Sequence, residues 1–262
     1  LAAGFSGLYL PVIYAVWALM LRGAAIELRS HLGSPLWRSF FDTVFMVASL
    51  LVPLLMGVAL GNVVRGVPLT PEGFFELPLF ASFRPDGELG AVDWFTLLCG
   101  VFVAVTLAAH GANWLALKTD GNVQAKAVAL QPKLYGATAV LWLASGAATF
   151  IVAPPSLGVG FWVGLVVTVG GAVVTVVRRR HALHAFIGSC VFVAGNLVTA
   201  LGGLFPIVLR ARPTPELSLT VTSAASRGAR VVAAGCAAGS GLFLVGVAAL
   251  QGARLGGEVS WP

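Results

Sequence analysis

Charged residues are scarce in this chain: Asp, Glu, Lys and Arg make up 10% of its 262 residues, while hydrophobic residues make up 58%. A soluble domain typically carries about 25% charged residues, because its surface must face water. The shortage of charge therefore excludes an ordinary water-soluble globular protein. It indicates a chain whose surface mostly faces lipid, where backbone polar groups need internal partners.

Cysteine and recognisable catalytic motifs are also scarce. The three cysteines, Cys99, Cys190 and Cys236, lie in apolar stretches and show no paired spacing. This excludes a disulfide framework and a cysteine-based metal site. A Ser/His/Asp set, a phosphate-binding loop, a Rossmann glycine pattern and paired acids in the apolar stretches are likewise missing. We therefore predict no catalytic, cofactor-binding or metal-ligating residue in this chain.

What the sequence does contain is seven long apolar runs, and most are long enough to cross a bilayer. About 20 helical residues span a hydrocarbon core of ~30 Å, whereas barrel strands would be ~10 residues long and alternate in polarity. We predict an all-α polytopic helix bundle, with residues 1–262 forming a single integral membrane domain. The seven predicted transmembrane runs are Phe5–Leu21, Phe40–Val64, Trp94–Leu117, Leu134–Val152, Leu157–Val177, His184–Leu209 and Arg230–Gln251.

The net charge of +6 is distributed unevenly between alternate loops. Cytoplasmic loops carry an excess of Lys and Arg, so the side that holds all three lysines and the Arg178–Arg180 run is predicted to be the inside. The two longer outer loops are then about residues 65–93 and 210–229. We interpret the basic charge as setting topology and predict no binding of nucleic acid.

Four polar or charged residues in or beside the runs are candidates for a role in the membrane: Asp42, Asn62, His110 and Lys118. Ionisable groups at such depth are costly and often functional. Asp42 is expected at the start of the second helix, where a carboxylate complements the helix N-terminus. His110 is either a haem or metal ligand or a histidine hydrogen-bonded between helices, and the second alternative is favoured, because the other histidines lie at or beyond the inner boundary.

Glycines four residues apart provide candidate helix-packing faces. In lipid, small residues let two helix backbones approach closely. Such a face is used either for contact with another subunit or for packing within this chain, and packing within the chain is favoured. The three pairs are Gly57 and Gly61, Gly160 and Gly164, and Gly235 and Gly239.

Several phrases, in order along nearly the whole chain, resemble subunit II of the bd-type quinol oxidases. The two most specific combine small, amide, basic and proline or aspartate residues at fixed offsets. They are Gly57-Val-Ala-Leu-Gly-Asn-Val-Val-Arg-Gly-Val-Pro68 and His110-Gly-Ala-Asn-Trp-Leu-Ala-Leu-Lys-Thr-Asp-Gly121. The stretches Phe5–Pro11, Leu204–Pro206 and Leu219–Ser226 are also similar to that family.

The resemblance implies a multi-pass protein of the bacterial cytoplasmic membrane that forms a heterodimer with a haem-bearing subunit I. That partner would hold haem b, haem d and the quinol site, and the complex would reduce oxygen electrogenically. This chain would carry no haem, would not itself be catalytic, would contact membrane lipid, and is implied to bind a structural quinone. The family has nine helices, so the seven runs match its last seven. We expect the first two helices to be missing because the sequence is a fragment or a truncated gene product.

Two other readings remain open from the residues alone. A small transporter or permease would use glycine-broken helices to frame a midplane site, and it predicts inverted repeats and polar residues at the membrane centre. The third possibility is a haem-free assembly scaffold without a respiratory partner.

Overall fold

The computed structural model describes residues 7–70, 75–84, 89–212 and 214–221. Within these ranges, six helices are long and apolar enough to cross a membrane. The helices are α1 (Tyr9–Leu28), α2 (Pro35–Arg65), α3 (Trp94–Lys118), α4 (Gly121–Val152), α5 (Val159–Val177) and α6 (Ala182–Leu204). The all-α polytopic architecture predicted from the sequence is confirmed.

All six helices belong to one compact unit, Leu1–Leu219. A second unit, Thr220–Pro262, contains Thr220 and Val221 of the described residues. The seventh predicted run, Arg230–Gln251, and its pair Gly235 and Gly239 lie outside the described residues.

Several helix boundaries differ from the predicted runs: α1 ends at Leu28 instead of Leu21, and α2 begins at Pro35 instead of Phe40. Helix α4 begins at Gly121, well before the predicted Leu134. Its first turns carry Lys126 and Lys133, and the prediction missed them because they are too polar to count as an apolar run. Helix α6 ends at Leu204, although apolar residues continue to Leu209. Pro206 explains this end, since a proline has no N–H to donate and keeps the preceding residue out of the helical conformation.

Asp42 is a correction to the prediction. Helix α2 begins at Pro35, which occupies its first turn, and that turn holds no acidic residue. Asp42 therefore lies about two turns into the helix and cannot complement its N-terminus. The prediction failed because Pro35–Ser39 looked too polar to be helical, whereas proline is well suited to the first helical turn.

Helix α3 lies at the centre of the described bundle. It packs against α2, α4 and α6, while α1 packs against α2 and α5 packs against α6. The α5–α6 contact is the most extensive of these, and the α3–α6 contact joins this pair to the first four helices.

Glycines allow the helix backbones to approach closely in both halves of the bundle. A Cβ atom placed on Gly57 of α2 would lie 2.7 Å from the Cα atom of Gly100 on α3. One on Gly160 of α5 would lie 3.3 Å from the Cα atom of Gly202 on α6, and one on Gly164 would collide with the backbone of Thr199. Both described glycine pairs thus make contacts within this chain.

The connections on the predicted outer side form a small apolar cap. Its buried residues come from the start of the chain, from the α2–α3 connection and from the segment after α6. In that last segment, strand β1 (Ile207–Leu209) pairs with β2 (Leu219–Thr220), and Pro215–Leu217 forms a 3-10 turn between them. The cap residues are Leu8, Val67, Leu69, Phe75, Leu77, Ala91, Leu209 and Ala211.

Candidate functional site

A buried ion pair joins the outer ends of α2 and α3. Arg65, the last residue of α2, contacts the carboxylate of Asp93 through Nη1, and the two residues are 2% and 4% exposed. The Nη2 atom of Arg65 donates to Asn62 Oδ1 at 2.6 Å and to the Gly90 carbonyl at 3.0 Å. Burying two charges is costly unless they are paired and further hydrogen-bonded, and this arrangement supplies both. We call Asn62, Arg65 and Asp93 the outer clasp.

Asp93 and Asn62 also fix the backbone around the outer clasp. Asp93 caps α3: its Oδ1 accepts from the N–H groups of Phe95 and Thr96, both at 3.0 Å. The hydroxyl oxygen of Thr96 accepts from the N–H of Asp93 at 2.9 Å, which completes a capping box. Asn62 donates to the Ala91 carbonyl at 2.7 Å. The clasp therefore sets where α3 begins as well as how it meets α2.

The sequence reading singled out Asn62 but missed its partners Arg65 and Asp93. Arg65 was counted with the outer basic residues that set topology. One indication was available: Asp93 stands directly before an apolar run with Thr96 three residues later, which is typical of a helix N-cap. The pairing across the α2–α3 connection could not be read from the sequence, because it depends on the path of that connection.

Asp42 forms the second ion pair found among the described residues. Its Oδ1 accepts from Arg29 Nε at 2.5 Å, and both side chains are about half exposed, at 53% and 55%. An exposed pair of this kind contributes little, typically ~0–1 kcal/mol. Asp42 therefore ties the α1–α2 turn to α2 at the surface and does not approach the other candidate residues.

A network of polar side chains joins α3, α4 and α6 toward the predicted inner side. The Oδ1 atom of Asn113 accepts from the Tyr135 hydroxyl at 2.5 Å and from Gln131 Nε2 at 3.1 Å. Asn113 itself is fully buried and its Nδ2 atom points to the Ala185 carbonyl of α6 at 3.5 Å. Hydrogen bonds between helices in a membrane contribute ~1 kcal/mol each, so this inner network holds α3 against two neighbours.

His110 lies one turn before Asn113 on α3. Its Nδ1 atom is 2.9 Å from the hydroxyl oxygen of Ser189 on α6. Its ring stacks on Phe186, with centroids 4.9 Å apart and planes 30° apart. These contacts are those of a histidine packed between two helices.

Lys118 lies in the last turn of α3, where a cation complements the negative end of the helix dipole. Its Nζ atom lies 5.4 Å from the ring centroid of Trp114, a cation–π contact. The structure thus gives Lys118 a place at the inner boundary of the bundle. It does not bring Lys118 together with Asp42 or Asn62.

A cavity of about 260 Å³ lies between α3, α4, α5 and α6 and is open on one side. His110, Tyr135 and Ser189 form part of its wall, and the rest is largely aliphatic or aromatic. The hydroxyl oxygens of Thr106 on α3 and Thr138 on α4, which also line the cavity, are buried without a hydrogen-bond partner. This cavity could not be predicted from the sequence, because it depends on how four helices are spaced.

The residues around the cavity do not fit a haem. Axial haem ligands are typically His, Met, Cys or Tyr side chains. In this wall the single histidine is hydrogen-bonded to Ser189, and the hydroxyl of the single tyrosine, Tyr135, donates to Asn113. At about 260 Å³ the space is below the ~300–1,000 Å³ range of pockets for drug-sized ligands. Among the described residues, no group of three His, Cys, Asp or Glu side chains could hold a metal ion.

The fold and these contacts define a multi-pass helical membrane protein whose buried polar groups bind helices to one another. The sequence model for cytochrome bd terminal oxidase subunit II matches residues 1–251. The chain belongs to this family.

Curated relatives agree with the family match. The "Probable cytochrome oxidase subunit 2" of Haemophilus influenzae is 28% identical over 86% of this chain and 67% of its own length. The "Cytochrome bd-I ubiquinol oxidase subunit 2" of Escherichia coli K12 is 26% identical over the same shares of both chains. The "Cytochrome bd ubiquinol oxidase subunit 2" of Bacillus subtilis is 29% identical over 56% of this chain and 40% of its own length.

Family membership confirms the predicted role as a subunit of a bd-type quinol oxidase in the bacterial inner membrane. The chain is thus part of an oxidoreductase complex that contains haem and a partner subunit I. The transporter reading is not favoured.

Proposed function

We propose that this chain is the non-catalytic subunit of the oxidase and that it supports a partner which carries haem b, haem d and the quinol site. Quinol would be oxidised at the partner's outer side and oxygen reduced to water with protons taken from the inside. The observation that carries the proposal is that the buried polar side chains hold helices of this chain together. In the outer clasp Arg65 of α2 pairs with Asp93 at the start of α3, and in the inner network Asn113 of α3 accepts from Gln131 and Tyr135 of α4, as expected of a supporting element.

The proposal that this chain carries no haem depends most on His110. Its Nδ1 atom is engaged with Ser189, and α4 contributes Tyr135, Thr138 and Trp142 to the wall of the same cavity. A protein that ligated haem through His110 would lose or shift haem absorbance when that side chain is removed. A packing histidine would leave the spectrum unchanged.

The test is a His110→Ala variant of the purified oxidase complex, with Ser189→Ala as the matched control that removes only the partner hydroxyl. We expect unchanged b- and d-haem absorbance per complex and unchanged quinol-dependent oxygen uptake in both. Loss of a haem band in His110→Ala alone would overturn the haem-free assignment. Unchanged spectra with slowed proton uptake would instead place His110 on a proton route and contradict a purely supporting role.

A structural quinone is the remaining part of the proposal. It is supported by the resemblance to the family, and we assign no residue to its head group. Extraction of the purified complex with organic solvent should yield more quinone per complex than the partner's substrate site accounts for. A yield of one quinone or less would argue against it.

A further inference from the structure

The cavity among α3–α6 opens at an exposed apolar surface of the described bundle. Of the described helices, α4 and α5 are neighbours along the chain without an extended contact, and both contribute to the cavity wall. Leu143 on α4 and Val173 on α5 line the cavity and are also 65% and 53% exposed. The mouth of the cavity therefore lies on the lipid-facing surface, and an occupant can enter from the membrane.

The wall offers an occupant mainly hydrocarbon. The hydroxyls of Thr168 and Thr175 donate to carbonyls one turn earlier in α5, at 2.9 and 2.8 Å. The indole N–H of Trp142 donates to Asn196 Oδ1 at 2.9 Å. These groups are engaged inside the protein, so apart from the unpartnered hydroxyls of Thr106 and Thr138 the surface left for contact is apolar. A single hydrocarbon chain matches such a surface, since lipid chains bind through apolar contact.

The inner end of the cavity lies next to an unneutralised basic cluster. Thr175 and Val176 line the cavity, α5 ends at Val177, and Arg178–Arg180 follow directly. All three arginines are exposed, and neither ion pair of the described residues involves them. A row of cations beside a helix end on the cytoplasmic side attracts anionic lipid headgroups.

The apolar mouth and the basic cluster lie within one or two helical turns of each other along α5, because each residue advances about 1.5 Å. This is the order of groups in a phospholipid: an anionic headgroup joined to hydrocarbon. We propose that the cavity binds an anionic glycerophospholipid of the inner leaflet, with its phosphate at Arg178–Arg180 and one acyl chain between α4 and α5. The site extends the proposed supporting role from protein to lipid and does not depend on where the haems lie.

The experiment uses the purified oxidase complex, stripped of lipid by detergent exchange and then supplied with phosphatidylglycerol or phosphatidylcholine. Native mass spectrometry measures the lipid retained, and thermal unfolding measures its effect. We expect tighter retention of phosphatidylglycerol and a higher Tm with it. Each arginine near an anionic lipid should contribute about a five-fold gain in affinity. Arg178→Gln/Arg179→Gln should therefore weaken phosphatidylglycerol retention about 25-fold.

Two variants separate the site from general effects of charge. Arg38→Gln removes an exposed arginine from the same side of the membrane, on α2, which does not line the cavity, and it should retain the lipid normally. Ala172→Leu fills the cavity without changing charge, and it should reduce retention of both lipids. Equal retention of the two lipids by the unmodified complex would overturn the proposal. So would a quinone that is retained in place of phospholipid and lost in Ala172→Leu.

Discussion

Replacing Arg65 with Met tests whether the outer clasp stabilises the bundle. The substitution leaves Asp93 buried without its cation and removes donors to Asn62 and Gly90. Breaking one side of a buried pair typically costs ~3–5 kcal/mol, because an uncompensated charge remains. We expect the free energy of unfolding of the chain, measured by denaturant titration in mixed micelles, to fall by about this amount.

The chain supplies its own control in the exposed pair Arg29–Asp42. Arg29→Met removes the same kind of side chain from the same kind of partner, but at a site where both groups are about half exposed. Its expected cost is ~0.2–1 kcal/mol. If Arg65→Met and Arg29→Met changed the free energy of unfolding equally, the reasoning from burial would be refuted.

A double-mutant cycle separates the charge of Asp93 from its role as a helix cap. Asp93→Asn keeps a side-chain oxygen that can accept from Phe95 and Thr96 but removes the negative charge. Arg65→Met/Asp93→Asn should then be less destabilised than the sum of the single variants by at least ~1 kcal/mol, since neither charge remains buried. Strict additivity would show that the two charges do not interact.

Three further outcomes are expected. Gly171→Ala should lower the free energy of unfolding in the same titration by ~1–3 kcal/mol, because the new Cβ would collide with Phe192 at the α5–α6 contact. Gly170→Ala, with open space around it, should be near neutral. Tyr135→Phe removes one bond to Asn113 and should cost ~0.5–1.5 kcal/mol by that measure. Thr138→Val replaces a buried, unpartnered hydroxyl by a methyl group, so Tm should stay equal or rise, and a fall would reveal a polar partner in the cavity.

Much of the fold could be predicted from the sequence, because a bilayer restricts a chain to a few solutions. Apolar runs of sufficient length located the six described helices, and their ends differed where polar residues continued a helix or a proline ended it. Lys126 and Lys133 hid the first turns of α4, and Pro206 ended α6 before its apolar residues ran out. Hydropathy reports which residues face lipid, whereas helix ends depend on backbone hydrogen bonding.

The candidate sites were much less predictable. His110 and Asn62 could be singled out because polar residues in apolar runs are costly. Arg65 and Asp93 were overlooked because each has an ordinary explanation by itself, as a topology charge and as a residue in a loop. Their significance comes from contact between residues 28 positions apart, and the cavity likewise depends on the spacing of four helices. Contacts and cavities are properties of pairs and larger sets of residues, and a single sequence does not show which residues lie close together.

The outer clasp and the inner network both hold the same helix, α3. Its N-terminus is held against α2 by the pair of Asp93 with Arg65, and its inner half is held against α4 and α6 by Asn113 and His110. Since α3 alone of the described helices makes extended contacts with three neighbours, a change at either end affects how the two halves of the bundle meet. The supporting role proposed for this subunit therefore depends on the position of α3, which is set by side chains that take no part in the proposed chemistry.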